Sequence, residues 1–106
     1  MDTTTLKQIL LDEMKKYTGE GLNDVATLTI NEALQMYAVI DVAQIRNKRV
    51  VSAVLVARLV DTQIIIDLDL HDKLLVDALK AQGVPEAQIT LAYQNDLLSA
   101  SYGEVG

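Results

Sequence analysis

Apolar residues recur at helical spacing near the start of the chain: Leu6, Ile9, Leu10, Met14 and Tyr17, with Lys7, Asp12, Lys15 and Lys16 off that stripe. This period predicts an amphipathic helix over residues 3–18 that turns one face to a core. Thr3 or Thr4 is placed to cap it, and Gly19 or Gly21 to end it. The period then falls to two. Ala26, Leu28 and Ile30 alternate with Val25, Thr27 and Thr29, the pattern of a half-buried strand over 25–30. Asn31-Glu32 reads as a turn, followed by a second strand over 36–43.

Arg46-Asn47-Lys48-Arg49 is a polar turn into a third strand over 50–60, and Asp61-Thr62 turns the chain into a fourth over 63–68. Connections this short favour antiparallel neighbours. Leu74, Leu75, Ala78 and Leu79 then share a helical face, predicting a second helix over about 70–82 with Asp69 as its N-cap. Gly83 suits the left-handed position after the helix, and Pro85 prevents its continuation. One helical turn at 86–88 and a short fifth strand at 89–93 follow, and residues 94–106 show no periodicity. The expected fold is a single α+β domain over residues 1–106. Its two layers are an antiparallel four-stranded meander with a short fifth strand, and the two helices.

The third strand carries valine on both of its faces. Odd positions Val51, Ala53, Leu55, Ala57 and Leu59 are expected to meet the helices. Even positions Val50, Ser52, Val54, Val56, Arg58 and Val60 then face outward, joined by Tyr37, Val39 and Ile65 if alternation holds. A sheet with one wet face shows polar residues there, and an apolar patch of this size is unusual on a monomer. Tyr37, Val39, Val54, Val56, Arg58 and Ile65 are therefore the predicted contact surface for a second subunit or another protein. The alternatives are a C-terminal segment folded across the face, or β-branched residues serving strand propensity alone.

Fifteen acidic residues against nine basic give a net charge of −6, which argues against general DNA binding and for a protein partner. Arg46, Lys48 and Arg49 form the single basic run, a candidate contact for phosphate or an acidic partner. The absence of cysteine removes disulfides and thiolate metal sites. Met1-Asp2-Thr3-Thr4-Thr5 lacks the basic start of a secretory leader, and no apolar run approaches membrane-spanning length, so the expectation is a cytoplasmic protein. Asp67, Asp69 and His71 form one possible oxygen-rich metal site, set against the common gathering of carboxylates at a helix start. Ser52, Ser99 and Ser101 have no nucleophile context, and no cofactor motif is present. Catalysis is not expected.

Taken in order, Tyr37, Asn47 to Val50, Ile64 to Ile66, and Gly83-Val84-Pro85 followed by Ile89 and Leu91 resemble the XisI family over roughly residues 5–93. These are the small factors controlling excision of the fdxN element in cyanobacterial genomes. The resemblance implies a compact α+β fold and an accessory role beside a XisH-like partner, with the excision itself made by a separate recombinase. Ile65 stands where family members usually have tryptophan. Where many family members follow the last strand with a Phe-His-Pro-type segment and a basic residue, this chain continues Tyr93-Gln94-Asn95-Asp96-Leu97.

Overall fold

A computed structural model of the protein describes residues 1–94; the tail read as irregular, with Ser99 and Ser101, lies outside the described residues apart from Gln94. Helix α1 (Thr3–Lys15) leads into a six-stranded sheet: β1 (Gly19–Glu20), β2 (Asp24–Asn31), β3 (Met36–Ile45), β4 (Lys48–Val60), β5 (Gln63–Asp69) and β6 (Ile89–Leu91). Helix α2 (Leu75–Ala81) and a 3-10 turn at Glu86–Gln88 connect β5 to β6. Spatial order follows chain order, antiparallel throughout except for the parallel β5–β6 pair. A helical crossover is what a parallel connection requires. The α+β fold read from the sequence is thus present, with β1 added.

Both helices pack on one face of the sheet. Leu6, Leu10 and Met14 of α1 and Leu75 and Leu79 of α2 are fully buried against Tyr37, Val39, Leu55, Ala57, Ile64 and Ile66. Helix α1 is capped by Asp2 rather than by a threonine; its carboxylate accepts from the Thr5 N–H at 2.8 Å. Helix α2 is shorter than its apolar period, because residues 70–73 form a loop and Leu74 holds the cap position without a side-chain bond. Gly83 takes φ 92°, and the Val84 N–H reaches back to the Leu79 carbonyl at 3.1 Å, closing the helix as its sequence predicts.

Two bulges break the simple alternation of the sheet. Val39 pairs with Leu55 but Ile40 pairs with Ala53, leaving Val54 as an extra residue in β4. Ala57 pairs with Ile66 but Val56 with Leu68, leaving Asp67 extra in β5. Each insertion reverses the faces of the residues beyond it. Ala53 and Val51, expected on the helix side, therefore join the outer row with Ile40 and Val42. Val50 and Ser52 turn to the helix side, past the reach of the helices, where both are exposed.

Candidate functional site

The outer face of the sheet is built in cross-strand rows. Val25, Val42 and Val51 form one; Thr27, Ile40 and Ala53 the next; Thr29, Ala38, Val56 and Leu68 a third; Asn31, Met36, Arg58, Ile65 and Thr90 a fourth. Both described helices lie on the opposite face, so neighbouring side chains alone shade this one. Ile40, Val42, Val56, Ile65 and Leu68 are half-buried, while Val25 is 44% and Val51 59% exposed. The main polar feature is an ion pair in which Arg58 Nε donates to Asp67 at 2.6 Å and Nη2 to its other oxygen at 3.2 Å. That bond holds the guanidinium more firmly protonated than usual. Asp67 owes its position to the β5 bulge. The pair neutralises both charges and leaves the surface apolar and uncharged around them.

The predicted surface residues divide. Val56, Arg58 and Ile65 lie on the outer face, and Val54 is the bulged residue itself, half-buried and touching the core. Tyr37 and Val39 do not belong there: they pair with Ala57 and Leu55, and both are fully buried beneath the helices. Alternation carried along from the 46–47 hairpin places them outside, but β4 changes phase at its own bulge. The Tyr37 hydroxyl is buried without a hydrogen-bond partner, and burial pushes its pKa up.

Arg46, Lys48 and Arg49 sit at the tip of the β3–β4 ribbon, which runs past the helix layer. Residues 44–52 are all exposed. Ile45 pairs with Lys48 across a two-residue loop in which Arg46 has φ 49° and Asn47 φ 66°, the paired positive values of a tight type I′ hairpin. None of the three cations has an ion-pair partner among the described residues.

Asp67, Asp69 and His71 are not brought together as a metal site. The bulge sends Asp67 to the outer face and Asp69 to the row of Leu55 on the helix side, which corrects the expectation that they share a side. The Asp69 side chain is 1% exposed. It accepts from the His71 N–H at 3.0 Å and the Leu75 N–H at 2.7 Å, and it meets His71 Nδ1 at 2.9 Å. The Tyr17 ring lies 4.4 Å from the His71 ring, and its hydroxyl donates to the Lys73 carbonyl at 2.7 Å. Burial first, then the Asp69 charge, raises the Tyr17 pKa. Asp69 thus holds the start of α2 from the end of β5, and Tyr17 ties the intervening loop to α1. The expectation that Asp69 holds the N-cap position is corrected: Leu74 stands there, and Asp69 reaches the Leu75 N–H from across the loop. The signal of this lock is one buried acid followed two residues later by the only histidine.

An open groove of about 660 Å³ lies beside this lock, between the C-terminal end of α1 and the start of α2. Its walls mix Glu13, Lys16, Asp72, Lys73 and Asp77, with Glu13 and Lys16 paired at 2.9 Å. Among the described residues there is no cluster of three or more histidines or carboxylates able to hold a metal. No described helix is long and apolar enough to cross a membrane.

The sequence model of the XisI family, described as XisI protein, matches residues 2–102. No curated protein matches the chain. Among solved structures, a XisI-like protein from Anabaena variabilis is similar with a TM-score of 0.68 at 20% identity, over 86% of this chain and 83% of that one. The fdxN element excision controlling factor XisI from the same organism is similar with a TM-score of 0.62 at 21% identity, over 86% and 82%. At such identities the structures share the fold, and the family match carries the relationship: the chain belongs to the XisI family.

Proposed function

We propose that this chain is a non-catalytic controlling factor for the excision of a DNA element, acting in the cytoplasm through contact with a XisH-like protein while a separate recombinase cuts the DNA. The observation that carries the reading is the outer sheet face. Val42, Val56, Ile65 and Leu68 form a surface no described helix covers, and its one ion pair is internally neutralised. Burying such a surface against a partner is worth about 25 cal/mol for each Å² removed from water. The groups with most chemistry, Asp69 and His71, are occupied in holding the backbone, which supports an accessory rather than a catalytic role. Co-purification with a XisH-like partner is the test. Wild type is expected to retain it, and Val56→Asp to lose it while remaining folded. Retention by the folded variant would place the contact elsewhere.

A second reading has its own observation: the three cations at the ribbon tip, which have no ion-pair partner among the described residues. Two-stranded ribbons fit the major groove of duplex DNA, and each phosphate neutralised steepens the salt dependence of binding. Duplex affinity that falls with salt, and falls further when Arg46, Lys48 and Arg49 become alanine, would favour direct DNA contact. Binding absent at low salt would remove it.

A further inference from the structure

β4 is longer than the partner on its far side. Strand β5 pairs with it only from Leu55 to Val60, and the Leu70 N–H adds one bond to the Val54 carbonyl at 3.0 Å. From Lys48 to Ala53 that side of the strand meets no other strand among the described residues, so alternate N–H and C=O groups remain free to pair. Natural proteins blunt such edges with lysine, proline, inward charges or bulges. Here Lys48, Arg49 and the Val54 bulge stand at the two ends, and Val50-Val51-Ser52-Ala53 between them carries no such device.

On each face of this edge stands an exposed valine. Val50 is 43% exposed on the helix side, Val51 59% on the outer side, and Leu70, just past the end of β5, 65%. The open backbone calls for a β-strand, and the apolar side chains call for a strand of the same kind.

We infer that the occupant is a second copy of this chain, pairing β4 with β4 antiparallel about a two-fold axis centred on Val51. Three observations favour it over an unrelated strand. The open segment is self-complementary: in this register Arg49 of one copy stands opposite Ala53 of the other, and the next residue, Val54, already has the Leu70 N–H on its carbonyl. Antiparallel pairing also carries the two cationic tips, with Arg46, Lys48 and Arg49 and no acid between 44 and 52, to opposite ends of the joint. Each tip then lies beside the 70–73 loop of the other copy, which holds exposed Asp72 together with exposed Lys73. Parallel pairing would instead stack like charges. Finally, the axis of an antiparallel pair is normal to the sheet. Both outer faces stay on one side, as a single apolar surface twice as wide. The dimer and the proposed partner contact are therefore compatible and separately breakable.

The experiment is light scattering on the full chain at tens of micromolar, with thermal unfolding as a check on folding. Wild type is expected at twice the 11.6 kDa chain mass. Val51→Lys, which sets two cations directly opposite each other across the axis, is expected at the single-chain mass with its folding intact. Val51→Thr is expected to keep the dimer, and Val56→Asp to keep it too. A monomeric wild type overturns the inference, as does a dimer that survives Val51→Lys. A dimer broken by Val56→Asp but not by Val51→Lys overturns it in favour of the outer face. A dimer broken instead by Thr29→Pro, on the open stretch of β2, overturns it in favour of that edge.

Discussion

From Leu55 to Arg58, β4 lies between β3 and β5 under two helices, with Leu55 and Ala57 fully buried. From Lys48 to Ala53 the same strand has one neighbour and no helix above it, and Val51 is more than half exposed. Both halves are rich in valine and alanine, so composition does not separate them. The difference comes from how far the helices and β5 reach. A residue's contribution to folding is set by what covers it, and the uncovered half is available for contacts that the core half cannot make.

Substitution should separate the two halves sharply. Leu55→Ala removes a fully buried side chain from the centre of the core. It is expected to cost about 3 kcal/mol, in the usual range for such cavities, read as a fall in the denaturant midpoint. Val51→Ala in the exposed half should change the unfolding free energy of the monomer by less than about 0.5 kcal/mol. Equal losses at both sites would erase the distinction.

Next in size is the Asp69 lock. Asp69→Ala strips the acceptor from the His71 and Leu75 N–H groups, at an expected cost of about 2 kcal/mol for one buried network. Hydrogen exchange should quicken first at Leu75 and in the 70–74 loop. Exchange that quickened equally in β3 would mean that the lock is no local device.

Smaller still is Tyr37→Phe. The hydroxyl it removes has no partner, so stability is expected to hold or rise slightly. A clear loss would show that the hydroxyl is bonded in solution.

The smallest effect concerns Asp41, which shares a hydrogen bond with Asp24 at the start of the ribbon. That bond, then burial, then the Asp24 charge raise the Asp41 pKa above its usual value. A raised pKa means that the folded state holds the proton more tightly than the unfolded one. The stability it gives is complete below the ordinary carboxylate pKa and fades as pH climbs through the raised value. Asp41→Asn should therefore raise the melting temperature at neutral pH and leave it unchanged in acid. The reverse pattern would show that the pair is not sharing a proton.

The element order was legible because each signal was local. Gly83 and Pro85 end a helix whatever surrounds them, and the polar turns at 46–49 and 61–62 separate strands of obvious apolar character. The bulges were not legible. With Val50, Val51, Ala53, Val54, Leu55 and Val56 apolar on either phase, one extra residue leaves no mark in the pattern. That single insertion misplaced Val51 and Ala53 and, through the assumed alternation, Tyr37 and Val39. The early start read for α2 had a similar cause. Asp69 does not hold the cap position; its carboxylate reaches the Leu75 N–H across a loop that Tyr17 holds from 56 residues away, and no local window contains both ends of that contact.

Methyl NMR spectra of the chain, recorded with and without a XisH-like partner, bear most directly on the outer face. Signals from Val42, Val56 and Ile65 should shift or broaden on addition of the partner, while those of Leu55 and Leu59 stay in place. Perturbation confined to the residues lining the α1–α2 groove, with the three outer methyls unmoved, would contradict the account.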